Sequence, residues 1–396
     1  MSEKNTDIKD ASAPDGTHNE YYSTSTDNNY LSERGELTLQ YSNDTSTVQF
    51  GVRVETVQNE VKAKSMGTET VTGKGEWLTN WAPFLSYYYE KESNMIQVGY
   101  YGMASQPSST NITPALNISN PAQITAGNIY LKPEFSHGLY GGLTMNNRET
   151  FAFFNMYLNG SMTTRGTVYA SWMDASGVRY AIPVNSQKPQ TNSYIYMSYN
   201  RPLGKERKFT LTAGGNFVFN GSHSYQAKQR MEGLDLQSFD YNEFMSGFWG
   251  AASGNRFYSG ESGFAESRTN TFNWGAQLQL KYSIDKLDAS MRVSTSNRIS
   301  RYSLDPTANM NTWNNSIRAD VLYQPGKGWE FGSNISYNFY RGYSTGFGSP
   351  EWQWNANISK SIKAVTLGIK VADILNQTRS LQRTVSAEYV EDVYSN

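Results

Sequence analysis

Reactive side chains are few in this sequence and are scattered along it. The chain has three histidines, His18, His137 and His223, and no cysteine. It contains no H-E-x-x-H metalloprotease motif and no phosphate-binding Walker motif, and the lack of cysteine excludes thiol catalysis and Cys-based metal binding. We therefore predict that the protein is not an enzyme and that it holds no metal ion or cofactor.

Aromatic side chains in a long polar connection at residues 220–267 are candidates for binding a ligand. Exposed rings beside polar groups suit the binding of sugars, peptides or chelates. The candidate ligand-binding residues are Phe239, Tyr241, Phe244, Trp249 and Arg256. The alternative interpretation is that this connection packs on itself, and the sequence supports the two interpretations equally.

The elements that would position this connection are β-strands, of which Thr271–Tyr282 is the clearest. Every second residue is apolar or aromatic, and the residues between them are polar or small. The apolar or aromatic residues are Phe272, Trp274, Ala276, Leu278, Leu280 and Tyr282. A strict period of two indicates a strand with one apolar and one polar face. At roughly 3.3 Å per residue and a tilt of about 40°, such a strand rises roughly 25 Å, the height of the apolar band of a membrane β-barrel.

Similar stretches repeat along the chain, and the connections between them are alternately short and long. The short connections lie near residues 42–47, 90–94, 146–149, 202–207, 283–286, 324–328 and 361–364. This alternation is typical of an up-and-down outer-membrane barrel, which has short periplasmic turns and long outer loops. We predict an all-β fold, an antiparallel transmembrane β-barrel with about 14 strands in this chain.

Aromatic residues occur at two levels of these predicted strands. With the short turns on the periplasmic side, one set lies at the periplasmic strand ends: Tyr89, Tyr282, Tyr323 and Trp329. The other set lies at the outer ends: Trp274, Trp313, Tyr340 and Trp352. Two aromatic girdles flank the apolar band of a membrane barrel, so these positions favour the barrel over a soluble all-β chain, the alternative that the pattern leaves open.

The composition bounds the class of protein. The chain has 396 residues, of which 38% are hydrophobic, and its mean hydropathy is −0.62. No window approaches the 18 or so consecutive apolar residues of a transmembrane helix. The net charge of −1 gives no electrostatic attraction to nucleic acid, so we predict no nucleic-acid partner.

One segment carries a resemblance to a known family. Asn120–Glu134, with the sequence NPAQITAGNIYLKPE, resembles the G-N-x-x-L-K-P-E stretch of TonB-dependent outer-membrane receptors. The matching residues are Gly127, Asn128, Leu131, Lys132, Pro133 and Glu134. The blocks Asn28–Ser42, Trp81–Ser108 and Val371–Asn396 are similar, in the same order, to the Bacteroidetes outer-membrane β-barrel family, so the resemblance runs from about residue 28 to the end.

We predict a structural role for the matching residues. Lys132 and Glu134 could form an ion pair at a functional site, but they follow a long connection and open a strand. Pro133 cannot donate to a β-ladder and therefore suits the first residue of a strand. The segment is thus expected to fix the geometry between loop and strand.

The resemblance also implies an organisation for the whole receptor, with an N-terminal plug and a barrel of about 22 strands. Within this chain we expect a polar arm or outer loop at 1–34, a barrel segment at 35–374, and an outer loop at 375–396 before a final strand. Nothing in the sequence resembles a plug, a TonB box or a signal peptide. We therefore expect the chain to be a C-terminal fragment of a receptor.

The function that the resemblance implies is import of a nutrient ligand across the bacterial outer membrane. Siderophore, cobalamin, glycan and peptide all remain open as ligands. The implied partners are outer-membrane lipid, the TonB complex acting through a plug domain outside this chain, the ligand itself and a surface lipoprotein. The alternative is a passive porin-like, structural or adhesive barrel without TonB coupling.

Overall fold

The structure of the chain is a computed structural model. It describes residues 2–6, 24–65, 68–72, 77–236, 238–343, 349–377, 380–385 and 390–395. The strands are β1 (Ser2–Thr6), β2 (Thr24–Ser42), β3 (Ser46–Ser65), β4 (Thr68–Thr72), β5 (Trp77–Lys91), β6 (Asn94–Ser105), β7 (Leu116–Asn120), β8 (Gln123–Ala126), β9 (Glu134–Asn147), β10 (Ala152–Thr164), β11 (Thr167–Met173), β12 (Arg179–Asn185), β13 (Gln190–Leu203), β14 (Phe209–Ala227), β15 (Phe264–Ile284), β16 (Leu287–Tyr302), β17 (Met310–Gly326), β18 (Trp329–Arg341), β19 (Glu351–Ile362), β20 (Val365–Val371), β21 (Ser380–Val385) and β22 (Val390–Ser395). The helices are α1 (Ser109–Ile112), α2 (Tyr241–Phe248), α3 (Asn255–Tyr258) and a 3-10 turn at Pro306–Ala308. None of the described helices is long and apolar enough to cross a membrane.

Fourteen strands pair in succession and form what we call the main sheet. They are β2, β3, β5, β6, β9, β10 and β13 to β20, and every consecutive pair is antiparallel. Their number agrees with the prediction of about 14, and the whole hydrogen-bonded sheet contains 20 of the described strands. Among the described pairings none joins β20 to β2, and the free side of β2 is paired over Thr24–Asn28 with β1.

The connections of the main sheet alternate as the sequence predicts. Seven tight turns join β2–β3, β5–β6, β9–β10, β13–β14, β15–β16, β17–β18 and β19–β20. The longer connections all leave from the opposite ends of the strands, because successive strands are antiparallel. Three of these longer connections contain strands and helices of their own, and they build the site described below.

The register of the strands separates an apolar face from a polar face. Leu278 lies opposite Val293, and Val293 lies opposite Ile317. One residue earlier, Gln277 lies opposite Ser294. Leu278 is 52% exposed, so the apolar face is an outer surface of the molecule, not a core. Because side chains alternate along a strand, the period of two in the sequence predicts both faces.

The outer aromatic level is only partly as predicted. Trp274 and Trp313 lie on either side of Asn297 on the apolar face, with their ring centroids 5.2 Å apart in a T-shaped arrangement. They cover Asn297, which is 3% exposed and whose amide donates to the Thr312 carbonyl. Tyr340 lies at the outer end of β18 as predicted, opposite Asn314 and beside the Trp313–Arg341 pair. Its side chain lies on the polar face, however, one residue out of phase with Trp313.

Several strands begin or end differently from the sequence-based boundaries. The first long strand begins at Thr24 and not near Gly35, because it pairs with β3 continuously from Ser25, opposite Lys64. Beyond the apolar band the ladder continues through polar residues, which show no alternation of hydrophobicity. For the same reason β15 is 21 residues long, which corresponds to a rise of about 50 Å at ordinary tilt.

Three connections of the main sheet contain additional short strands. The connection between β3 and β5 contains β4, that between β6 and β9 contains β7 and β8, and that between β10 and β13 contains β11 and β12. A turn at Arg165 and Gly166 separates β10 from β11. The described part of 375–396 contains the β21–β22 hairpin, within the stretch expected to be an outer loop.

Candidate ligand-binding site

Three long connections fold together into a compact unit, which we call the outer subdomain: α1, β7, β8, β11, β12, α2 and α3. β12 pairs with β8 in parallel and with β11 in antiparallel orientation. β11 in turn pairs in parallel with the end of β14, through Ala170 and Tyr225. The subdomain is therefore hydrogen-bonded to the main sheet.

Aromatic side chains fill the core of the outer subdomain. Trp172 stacks on Tyr180 with ring centroids 5.1 Å apart, and it meets Phe264 edge-on at 6.0 Å. Phe248 and Phe257 lie 5.2 Å apart. All of these side chains are buried. Such pairs contribute about 0.5–1.5 kcal/mol each beyond the burial of apolar area. The core also includes Tyr225 of β14 and Phe264 of β15, so it joins the subdomain to the outer ends of two strands of the main sheet.

The five predicted ligand-binding residues occupy different environments. Tyr241 is buried, with 7% exposure, in the core of the subdomain, where its side chain packs against other residues of the chain. Phe239 and Phe244 pack half-buried against the core, whereas Arg256 is exposed. Trp249 is 2% exposed, and its ring forms part of a pocket wall described below. This connection therefore packs on itself, because α2 turns its apolar side toward β11 and β12.

The buried hydroxyl of Tyr241 joins this connection to the family segment. It donates to the Gly127 carbonyl at 3.1 Å and accepts from the Ile129 N–H at 3.2 Å. Burial raises the pKa of the Tyr241 phenol above its ordinary value. Next to these groups, Asn128 is fully buried, and its amide donates to the Pro183 carbonyl. Two sets of residues that the sequence analysis treats separately thus form one contact.

We expect Tyr241→Phe to destabilise the outer subdomain by about 2 kcal/mol, because it leaves a buried N–H and a buried carbonyl without their partner. The measurement is the rate of proteolytic cleavage within residues 106–264 of the full-length protein in the membrane. Tyr169→Phe is the matched control, since Tyr169 is 44% exposed and its hydroxyl bonds to a single side chain, that of Asn111. Equal cleavage rates for the two variants would contradict the role of the Tyr241 hydroxyl.

The end of the family segment is held by main-chain contacts. The Leu131 N–H donates to the Asn128 carbonyl at 3.3 Å. Pro133 directly precedes β9, and Glu134 is the first residue of that strand. The Glu134 carboxylate accepts from the Thr167 N–H at 3.1 Å. Among the described contacts Glu134 binds the start of β11 and forms no ion pair with Lys132.

Asn185 organises a pocket between the main sheet and the outer subdomain, which we call the Asn185 pocket. Its side-chain oxygen accepts from the Lys132 N–H at 2.8 Å, while its side-chain amide donates to the carbonyls of Lys132 (2.9 Å) and Arg165 (2.7 Å). Its own carbonyl accepts from the Tyr258 hydroxyl at 2.6 Å. Asn185 is 7% exposed, so one buried residue fixes three segments that are distant in the sequence.

The cavity beside Asn185 has a volume of about 300 Å³. It is lined by Tyr130, Lys132, Thr164, Arg165, Asn185, Ser186, Gln187, Pro189, Trp249, Ala252, Ser253 and Tyr258. The indole N–H of Trp249 is buried and meets no acceptor among the described residues. Burial also raises the pKa of the Tyr258 phenol. Sequence analysis missed Asn185 and Arg165, whose sequence neighbourhoods resemble no motif.

A second recess lies on the polar face of the main sheet, with a volume of about 510 Å³. Its lining includes Tyr196, Asn216, Gln277, Asn314 and Tyr340, and no charged residue. The charged residues predicted for this face partly neutralise one another nearby. Arg318 and Asp320 form an ion pair at 2.7 Å.

The histidines do not form a shared site. His137 hydrogen-bonds to the Tyr100 hydroxyl, and His223 contacts the Glu266 carboxylate at 2.5 Å. His18 lies outside the described residues. Within the described parts of the chain no group of three His, Cys, Asp or Glu side chains could hold a metal ion.

A G-x-S-x-G spacing does occur at residues 342–346. In hydrolases this spacing forms a turn from a strand into a helix. Here the serine, Ser344, and the two residues after it lie outside the described residues. The spacing alone therefore assigns no nucleophile.

A sheet of long antiparallel strands with an exposed apolar face, tight turns at one end and folded connections at the other defines an outer-membrane β-barrel protein. The chain belongs to the outer membrane protein beta-barrel family, whose sequence profile matches residues 35–297. It is accordingly a protein of the bacterial outer membrane. No curated protein matches the chain.

Several solved outer-membrane proteins are distantly similar. OmpT, an outer membrane protein of Vibrio cholerae, is 10% identical with a TM-score of 0.29, over 88% of this chain and 96% of that chain. The ferric-catecholate import receptor Fiu of E. coli K12 is 9% identical with a TM-score of 0.39, over 89% of this chain and 64% of that chain. A Pseudomonas aeruginosa FadL homologue is 11% identical with a TM-score of 0.32, over 87% and 85%. At such TM-scores these similarities support no conclusion about the function of the chain.

Proposed function

We propose that the protein acts in a TonB-dependent receptor that imports a nutrient ligand across the outer membrane. The observation that carries this proposal is the folded outer subdomain, which is fastened to the main sheet by the Gly127–Glu134 segment. That segment is also the one that resembles TonB-dependent receptors. A receptor needs a rigid surface on the outer side to select its ligand before transport, and a core of stacked aromatic rings supplies that rigidity.

In the proposed mechanism the ligand binds at the outer subdomain, and the TonB complex opens the path by acting on a plug domain. Outer-membrane lipid covers the apolar face, and a surface lipoprotein is a further proposed partner. No catalytic step is proposed, because the titratable residues are dispersed. The Asn185 pocket favours a receptor over a passive pore, because a pore selects by size and charge along its channel and gains nothing from a pocket outside it.

The test uses cells that express the full-length protein, supplied with radiolabelled cyanocobalamin, a labelled ferric siderophore, a fluorescent oligosaccharide or a fluorescent peptide. We expect accumulation of one of these probes to require the protein and to stop when a protonophore collapses the inner-membrane proton gradient. Purified full-length protein in a planar bilayer should show no steady open conductance. Accumulation that continues with the protonophore, together with steady open channels, would favour the passive barrel and contradict the proposal.

A further inference from the structure

We propose that the Asn185 pocket binds the carboxylate or phosphate group of a ligand whose remaining part is flat and apolar. This inference deepens the proposed receptor function and rests on it for its physiological role. Binding to the purified protein tests it separately from transport, so the two proposals can fail independently.

The charge of the pocket is the first support. Lys132 and Arg165 both line the cavity, and no Asp or Glu lines it. Both side chains are exposed, and neither forms an ion pair with a carboxylate among the described residues. The neighbouring carboxylate along the chain, Glu134, is bound by the Thr167 N–H. Two cations without a counter-ion at one partly open cavity favour an anionic ligand.

The geometry of the pocket is fixed before any ligand binds. Asn185 holds the backbone of Lys132 on one side and that of Arg165 on the other. Arg165 has a φ of 54°, a left-handed conformation that residues with side chains rarely adopt. Its carbonyl is bound to the buried Asn185 amide, so the backbone from which the arginine side chain extends at the cavity is fixed.

The remaining lining defines the other part of the ligand. Tyr130, Trp249 and Tyr258 contribute ring surface to the cavity. The volume of about 300 Å³ lies at the lower limit for small-molecule sites. A flat body between rings, with an acidic group toward Lys132 and Arg165, matches the ring lining, the volume and the two cations.

The probe that we suggest is para-fluorobenzoate, with para-fluorobenzamide as a neutral probe of the same shape. Binding to the purified full-length protein is measured by the broadening of the fluorine NMR signal. We expect millimolar para-fluorobenzoate to bind and the amide to bind at least about tenfold more weakly, since a charge-assisted contact is worth about 1.5–3 kcal/mol. Equal binding of both probes, or no binding of the benzoate, would overturn the proposal.

Variants locate the binding in the pocket. Lys132→Gln and Arg165→Gln change exposed side chains and should each weaken benzoate binding about tenfold, while Lys132→Arg should retain it. Lys228→Gln is the matched control, because Lys228 is an exposed cation beside a different cavity of the same region. Unchanged binding in both pocket variants, or an equal loss in the Lys228 variant, would overturn the assignment.

The anionic group has two sources on the outer side of the membrane, a soluble nutrient and the phosphates of outer-leaflet lipopolysaccharide. Competition between purified lipid A and para-fluorobenzoate distinguishes them. We expect no displacement by lipid A, because a cavity of this size does not admit a lipid headgroup with its sugars. Displacement by lipid A would contradict the assignment of the anionic group to a soluble nutrient and would identify it as a phosphate of the lipid.

Discussion

Gly127→Ala is expected to unfold the outer subdomain while the main sheet stays assembled. A Cβ atom at position 127 would lie 2.1 Å from the carbonyl oxygen of Thr113. That oxygen belongs to the backbone, and the chain around it is held by the bond between the Asn128 N–H and the Asn111 carbonyl at 2.7 Å. Since no side chain can move aside, the substitution must displace the backbone, and we expect a cost of about 3 kcal/mol.

The measurement for Gly127→Ala is proteolytic cleavage of the outer subdomain on intact cells, together with the heat-modifiable gel mobility that reports an assembled barrel. Gly247→Ala is the matched control. Gly247 lies in α2, and no atom of the described residues stands within 4 Å of the point that a Cβ atom would occupy there. Alanine at this position should stabilise the helix by up to about 1 kcal/mol. Equal resistance of the two variants to protease would show that the close approach at Gly127 is not required.

Leu278→Arg is expected to impair assembly in the membrane far more than Gln277→Arg. Leu278 lies midway in sequence between Trp274 and Tyr282, on the apolar face, and it is 52% exposed. An arginine on the lipid face near mid-bilayer costs about 2–4 kcal/mol. Gln277 lies on the polar face, next to Ser294 of the neighbouring strand, so an arginine there points into a polar environment.

The two variants at 277 and 278 are compared by the urea concentration at which the full-length protein unfolds from lipid bilayers. Because the positions are adjacent, the depth in the membrane is nearly the same, and the comparison isolates the face of the strand. Equal unfolding midpoints would contradict the assignment of the apolar face to lipid.

Sequence reasoning predicted the candidate site less well than the sheet. It singled out two residues that line the Asn185 pocket, Lys132 because of the family segment and Trp249 because of the aromatic connection, but it did not predict that they lie at one site. It assigned Tyr241 to ligand contact, whereas the structure places this residue in a core. An aromatic residue in a polar connection has the same local pattern in both cases, so only the packing of α2 against β11 and β12 distinguishes them.

The sequence by itself determined the number of strands in the main sheet, the positions of the seven tight turns and the two faces. These features are local, because alternation with a period of two and short polar breaks are visible within a dozen residues. The face of Tyr340 is local information as well, since Tyr340 is one residue out of phase with Tyr337 and Phe339 of the same strand.

The outer subdomain and its pocket could be recognised only from the tertiary structure. The contacts that build them join residues far apart in the chain: Asn185 with Lys132 across 53 positions, and Tyr241 with Gly127 across 114. A buried amide or hydroxyl that bonds to a distant backbone has no periodic signature, because its partner is set by how the connections pack and not by its neighbours in sequence. The membrane-facing sheet therefore follows from local pattern, whereas the site follows from long-range packing.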